Sequence, residues 1–313
     1  LLGGSGTSVA ALGSTRRVDE PASNWSTSAP LRSTARFSTT GPVIKGMNLA
    51  TPFENAWRYQ ELIRAVVRRE LAVRFRGTIL GWLWAIFGPL VMLSAYTVIF
   101  SSAVGVPASA KNVGVGGYAL SIFAGLIIFN LFSELAYRAP AMLHEQAGVI
   151  KKSIFPSETL AWTAAIRASV YALISLAVLV VFKLAVSHNL PLTALLLPFV
   201  AIPFFLALLG VSWFLMALGS FTRDVAHLMI SIVPVFMFAT PIFYSIDDVP
   251  PHLRLYVHLN PIGNYVEMTR DLLLFGRLPS ALLYAGTVAG SLIVFYFGYR
   301  FFMQYKAVFV DVI

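Results

Sequence analysis

Between residues 77 and 302 the chain is dominated by long apolar stretches with almost no charged side chain inside them, and nothing else restricts its fold as strongly. Hydrocarbon offers no partner for a backbone N–H or C=O, so a segment lying in it must close its own hydrogen bonds, as a helix does. About 20 residues at 1.5 Å each cross about 30 Å of bilayer core. Six stretches meet that length: 77–100, 118–136, 159–186, 190–221, 225–246 and 278–302. The fold expected from them is an all-α integral membrane protein with six transmembrane helices. Composition agrees, since 58% of the 313 residues are hydrophobic and only 12% charged, against about a quarter charged in soluble domains. Gly88 and Pro89 are expected to bend or interrupt the first span, and Pro198 and Pro203 to bend the fourth.

Three regions follow. Residues 1–46 are rich in Gly, Ser, Thr, Ala and Pro and have no long apolar run, which reads as a disordered tail without the apolar region of a cleaved signal peptide. In 47–76, Trp57, Leu62, Ile63, Val66, Val67, Leu71 and Phe75 alternate with Arg58, Arg64, Arg68, Arg69, Arg74 and Arg76. That pattern suits a cytoplasmic amphipathic helix in the membrane interface, or else the positive flank of the first span. Residues 77–313 form the six-helix transmembrane domain. The arginine cluster, Lys151 and Lys152, Arg223, Arg300 and Lys306 all fall on one face of a six-span arrangement, which places both termini in the cytoplasm. The net charge of +9 therefore reads as anchoring to anionic lipid, not as a nucleic-acid surface. On the opposite face the 247–277 loop holds prolines and an apolar stretch, and reads either as short helices dipping into the outer leaflet or as a plain loop.

Marks of catalysis are missing. The chain has no cysteine, which removes disulfides and thiolate chemistry. No phosphate-binding glycine loop, dinucleotide fingerprint, HExxH pair or GxSxG elbow is present, and the five histidines are scattered. Away from the span ends, where Glu134 stands, no carboxylate lies inside a span to serve as a proton relay. Arg167 is the one charge well inside a span, and it faces an oligomeric interior, snorkels to an interface, or marks a shifted helix boundary. Trp82, Trp84, Phe87 and Tyr96 on the first span, with Phe236, Phe238, Phe243 and Tyr244 on the fifth, are candidates to line a conduit for glycans, whose ring faces stack on aromatic rings; ordinary packing is the alternative. The polar connection 140–158 holds His144, Glu145, Lys151, Lys152, Phe155 and Pro156 and is too polar to span.

Three segments carry a family resemblance: RRELAVRFRGTILGWLWAIFGPL from Arg68 to Leu90, VIKKSIFPSETL from Val149 to Leu160, and ATPIFYSIDDVPPHLRLYVHLNPIGNYVEMTRDLLLFG from Ala239 to Gly276. Together, from about residue 54 onward, they resemble the ABC-2 type membrane permeases of polysaccharide exporters, the group that moves O-antigen, teichoic acid or cell-wall galactan. The resemblance implies a bacterial plasma membrane protein with an interfacial helix, six spans and short outer gate helices between the fifth and sixth. It implies a second copy of this chain and two cytoplasmic ABC ATPase subunits, with ATP and Mg²⁺ on those subunits and no cofactor on this one. The cargo it implies is a polysaccharide on a polyprenyl diphosphate, with 144–156 as the surface that receives the ATPase stroke. Arg68, Arg69, Arg74 and Arg76 are then candidates to guide the diphosphate, beside their alternative role as membrane anchors. Rival readings are a permease for a drug or free lipid, and a channel or scaffold without ATP coupling.

Overall fold

A computed structural model describes residues 50–74, 76–102, 114–150, 156–246 and 249–312. The expected tail 1–46 and the residues Lys151, Lys152 and Phe155 lie outside that set. Helices follow in the order α1 Thr51–Arg58, α2 Gln60–Arg74, α3 Trp84–Ser102, α4 Gly114–Arg138, α5 Met142–Glu145, α6 Ala147–Ile150, α7 Thr159–Ser187, α8 Leu197–Phe221, α9 Asp224–Ala239, α10 Pro251–Leu259, α11 Pro261–Arg270 and α12 Ala281–Val312. No strand occurs among the described residues.

Among the described residues, five helical stretches are long and apolar enough to cross a bilayer: Gly81–Ile99, Gly116–Glu145, Thr159–Ser187, Leu192–Phe221 and Ala281–Lys306. The segment expected as the fifth span, 225–246, is helical only to Ala239. Pro241 is the reason, because a residue before proline is pushed out of helical conformation, and Thr240 is extended at φ −91° and ψ 135°. The resulting 16-residue α9 is about 24 Å long. The first span also starts later than expected. Gly77 and Gly81 adopt positive φ values of 81° and 50°, which glycine tolerates and a helix does not use, so α3 begins at Trp84 and contains Pro89 without ending there. Pro198 sits in the first turn of α8 and Pro203 within it, so neither breaks that helix.

The amphipathic run before the first span is two helices, with the break at Tyr59. Phe53 of α1 meets the rings of Trp162 and Phe295, whereas α2 buries Ile63 and Val67 and packs on α7. Trp162 lies in α7, so both helices rest on that span. Arg64, Arg68 and Arg69 are on the exposed side of α2.

In lipid, apolar contact alone gives helices little reason to associate, so close packing through small residues matters more. α8 and α12 pair along their length, and they cross at Gly210 and Gly298. A Cβ on Gly298 would overlap the carbonyl of Gly210, and one on Gly210 would overlap the carbonyl of Val294. Fully buried Trp213 anchors the same core, with its ring against Trp162, Phe295 and Tyr299 and its indole N–H donated to Glu158 O at 3.0 Å.

Candidate functional site

The end of the bundle that carries α2 is built around Arg167. Its Nη1 meets Glu70 Oε2 of α2 at 2.8 Å and its Nη2 meets Glu134 Oε1 of α4 at 3.0 Å. Two further guanidinium groups join at longer range, Arg138 to Glu70 at 3.3 Å and Arg74 to Glu134 at 3.8 Å, and Arg74 also lies over the Tyr171 ring at 4.3 Å. A buried charge persists when it is paired and hydrogen-bonded, and that is why an arginine is accommodated eight residues into α7. Its two glutamate partners are in its own chain, so this pairing needs no second copy. Neither glutamate stood out in the sequence; Glu70 was hidden in a run of arginines, and Glu134 reads there only as a span boundary.

At the same end, His144 Nε2 lies 3.1 Å from Gly219 O, and Gly219 crosses Pro140 so closely that a Cβ would overlap its carbonyl. Lys306 near the end of α12 donates to Glu158 Oε2 at 2.6 Å. Pro156 O accepts from Thr159 N at 3.0 Å and Thr159 Oγ1 at 2.7 Å, starting α7. Glu145 is exposed. The connection between α4 and α7 is thus fastened to the ends of both α8 and α12, which the sequence did not reveal because the partners lie far apart along the chain.

The opposite end is organised by Arg270, which lies in the stretch 247–277 expected to be a loop or short outer helices. It is buried and donates to three carbonyls: Ser121 O at 2.9 Å, Pro241 O at 2.6 Å and Ile242 O at 2.6 Å. Gly125 makes the room, since a Cβ there would stand 3.0 Å from Arg270 Nη2. Asn260 caps α11 by accepting from Ile262 N at 3.0 Å and donates its amide to Thr240 Oγ1 at 2.9 Å. The turn after α9 is therefore clamped to α4 and α11. Lys183 Nζ and Thr193 Oγ1 donate to Leu274 O and Leu272 O, holding the π turn Asp271–Phe275 that follows α11. Replacing Arg270 with methionine is expected to orphan the carbonyls of Pro241 and Ile242, which lie outside any helix, at about 1–3 kcal/mol for each that stays buried. Faster hydrogen exchange over 239–246 is the measurement, and Arg270→Lys should recover part of the protection.

The aromatic candidates form two patches. Trp82, Trp84 and Phe87 are exposed, with Trp84 edge-on to Phe87 at 5.7 Å, while Tyr96 packs partly into the core. Phe236 and Phe238 are exposed, Phe238 stands 6.4 Å from Phe243, and the Tyr244 hydroxyl caps the end of α9 at Ala239 O, 3.4 Å away. α3 packs on α4 and α7, and α9 on α4 and α8, so one chain presents these patches on different sides of α4. Of the candidates Arg68, Arg69, Arg74 and Arg76, Arg74 enters the ion-pair cluster; Arg68 borders a shallow hollow with Trp82 and Ile166, and Arg69 and Arg76 are exposed. No group of three or more His, Cys, Asp or Glu able to hold a metal occurs among the described residues.

Several apolar helices long enough to cross a bilayer, tied at their ends by buried polar clusters, describe a multi-pass membrane protein. The family model described as ABC-2 type transporter matches residues 61–274, and the chain belongs to that family. It is 26% identical over 249 residues to the O-antigen export system permease protein RfbA of Klebsiella pneumoniae, covering 77% of this chain and 93% of that one. A protein of the same name from Myxococcus xanthus is 22% identical over 72% of this chain and 85% of its own. The polysialic acid transport protein KpsM of Escherichia coli is 21% identical over 69% and 82%.

Proposed function

We propose that this chain is the membrane channel subunit of an ATP-driven exporter that carries a polyprenyl-diphosphate-linked polysaccharide from the cytoplasmic side of a bacterial plasma membrane. The observation that carries the reading is the family match, joined to relatives whose names all specify O-antigen export or polysialic acid transport. Two copies of the chain work with two cytoplasmic ABC ATPase subunits, which hold the ATP and Mg²⁺; this chain binds no cofactor of its own. Both termini are cytoplasmic, in keeping with the arginines of α2 and Arg223, Arg300 and Lys306 at one end of the bundle. α1 and α2 lie in the inner interface, α9 with the turn after it completes a sixth crossing, and α10 and α11 serve as the outer gate helices.

In a pair, the aromatic patch of α3 in one copy faces that of α9 in the other, giving a wall on which sugar rings slide. The surface His144–Pro156 receives the ATPase stroke and passes it to α8 and α12 through the Gly219–Pro140 contact and the Lys306–Glu158 pair. Arg68, Arg69, Arg74 and Arg76 guide the diphosphate toward that passage. Reconstitution with the partner ATPase in proteoliposomes should give ATP-dependent transfer of lipid-linked glycan to the far leaflet. Stimulation of hydrolysis by small drugs with no glycan movement would overturn the cargo, and transfer without ATP would overturn the coupling.

A further inference from the structure

Beside the Arg167 cluster, between α3, α4 and α7, is an open cavity of about 610 Å³. Arg74, Arg138, Arg167 and Glu134 are its charged lining, and Trp84, Pro89 and Ile127 are part of its apolar lining. The three guanidinium groups face two carboxylates, so the cluster carries one positive charge in excess. The contact lengths say where that excess lies. Arg167 takes the two short contacts, at 2.8 and 3.0 Å, and its side chain is only 5% exposed. Arg138 and Arg74 hold the same carboxylates at 3.3 and 3.8 Å with side chains 35% and 55% exposed; Arg74 also bonds Tyr171, and each guanidinium carries five N–H donors, more than these contacts use. Arg167 Nε, also buried there, has no acceptor.

We infer that this cavity is a receptor for the phosphate headgroup of a membrane lipid. Phosphate oxygens match the planar fork of a guanidinium, and Arg74 and Arg138 are placed to take them while the glutamates remain held by Arg167. The apolar wall from α3 and α4 receives the start of the chain that follows the headgroup, which a free anion lacks. The site goes beyond guidance by a row of arginines on one helix, since Arg138 and Arg167 come from α4 and α7. It stands independently of what the protein exports, because a lipid bound here is read without any transport assay.

Native mass spectrometry of the detergent-solubilised full chain, titrated with phosphatidylglycerol, a polyprenyl diphosphate, phosphatidylcholine and inorganic pyrophosphate, tests it. The first two are expected to compete for one site per chain, with zwitterionic phosphatidylcholine at least about tenfold weaker. The double variant Arg74→Gln, Arg138→Gln should lose about tenfold or more in affinity for both, as expected for charge-assisted hydrogen bonds. Arg58→Gln, an exposed change of the same charge on α1, should leave binding intact. Preference between the two phosphate lipids identifies the source, and either preference supports the site. Equal binding by the double variant, equal binding of phosphatidylcholine, or binding of pyrophosphate that no lipid displaces would overturn it. If the double variant does not fold, wild-type protein crosslinked to a photoreactive phosphatidylglycerol decides: labelled peptides spanning 74–89 and 130–138 support the site, and labelling elsewhere alone refutes it.

Discussion

Arg167→Ala is expected to be the most destabilising single side-chain truncation in the chain. The substitution removes a buried cation and leaves Glu70 and Glu134 facing each other with only Arg138 and Arg74, at 3.3 and 3.8 Å, to answer them. Breaking a buried ion pair from one side costs about 3–5 kcal/mol, because the partner charge stays buried without compensation. The loss should appear as a large drop in the temperature at which detergent-solubilised protein ceases to be monodisperse, together with release of α2 from α4 and α7. The triple change Arg167→Met, Glu70→Gln, Glu134→Gln should recover a large part of the loss, since it removes the stranded charges as well. An Arg167→Ala protein as heat-resistant as the wild type would show that the cluster does not hold α2.

The second large effect is expected at the crossing of α8 and α12. Gly298→Leu places a side chain where the carbonyl of Gly210 already stands, and the obstacle is backbone that no rotamer change can move. Overpacking of ordinary cores costs about 1–3 kcal/mol, and a backbone obstacle puts this change at the upper end or above. Gly298→Ala should already lower heat resistance, and Gly298→Leu should largely abolish extraction of folded protein. Gly290→Ala on the same helix is the internal control. Its added Cβ meets nothing within 4 Å, so alanine's better helix propensity, about 1 kcal/mol in soluble helices, should make it neutral or mildly stabilising. If the two positions respond alike, close approach of the backbones is not what pairs these helices.

Much of the fold was legible because hydrocarbon is an undemanding solvent to read. Length and apolarity locate a span, and both are local properties of the chain. The reading failed where backbone detail took over. Two positive-φ glycines delayed α3, and Pro241 stopped α9 at Ala239, although the apolar character continues to residue 246. The Asn-Pro turn was visible in the motif from Ala239 to Gly276, but its work was not: Asn260, Gly263 and Arg270 all converge on the turn at Thr240–Ile242.

The candidate site divides in the same way. The sequence supplied the arginine-rich face of α2, the aromatic content of the spans and the polar connection after α4, each a matter of residue type within a short window. It left Arg167 with three readings, because its partners Glu70 and Glu134 lie 97 and 33 positions away, and no periodicity relates them. The sequence by itself therefore determined that this chain crosses a membrane as helices and to which family it is similar, since backbone hydrogen bonding in lipid leaves no other choice for such segments. Only the tertiary structure decided which charges neutralise one another, which glycines touch and where two partly exposed guanidinium groups meet a cavity. Those contacts are made between distant segments, and their energies depend on distance and burial that residue order does not encode.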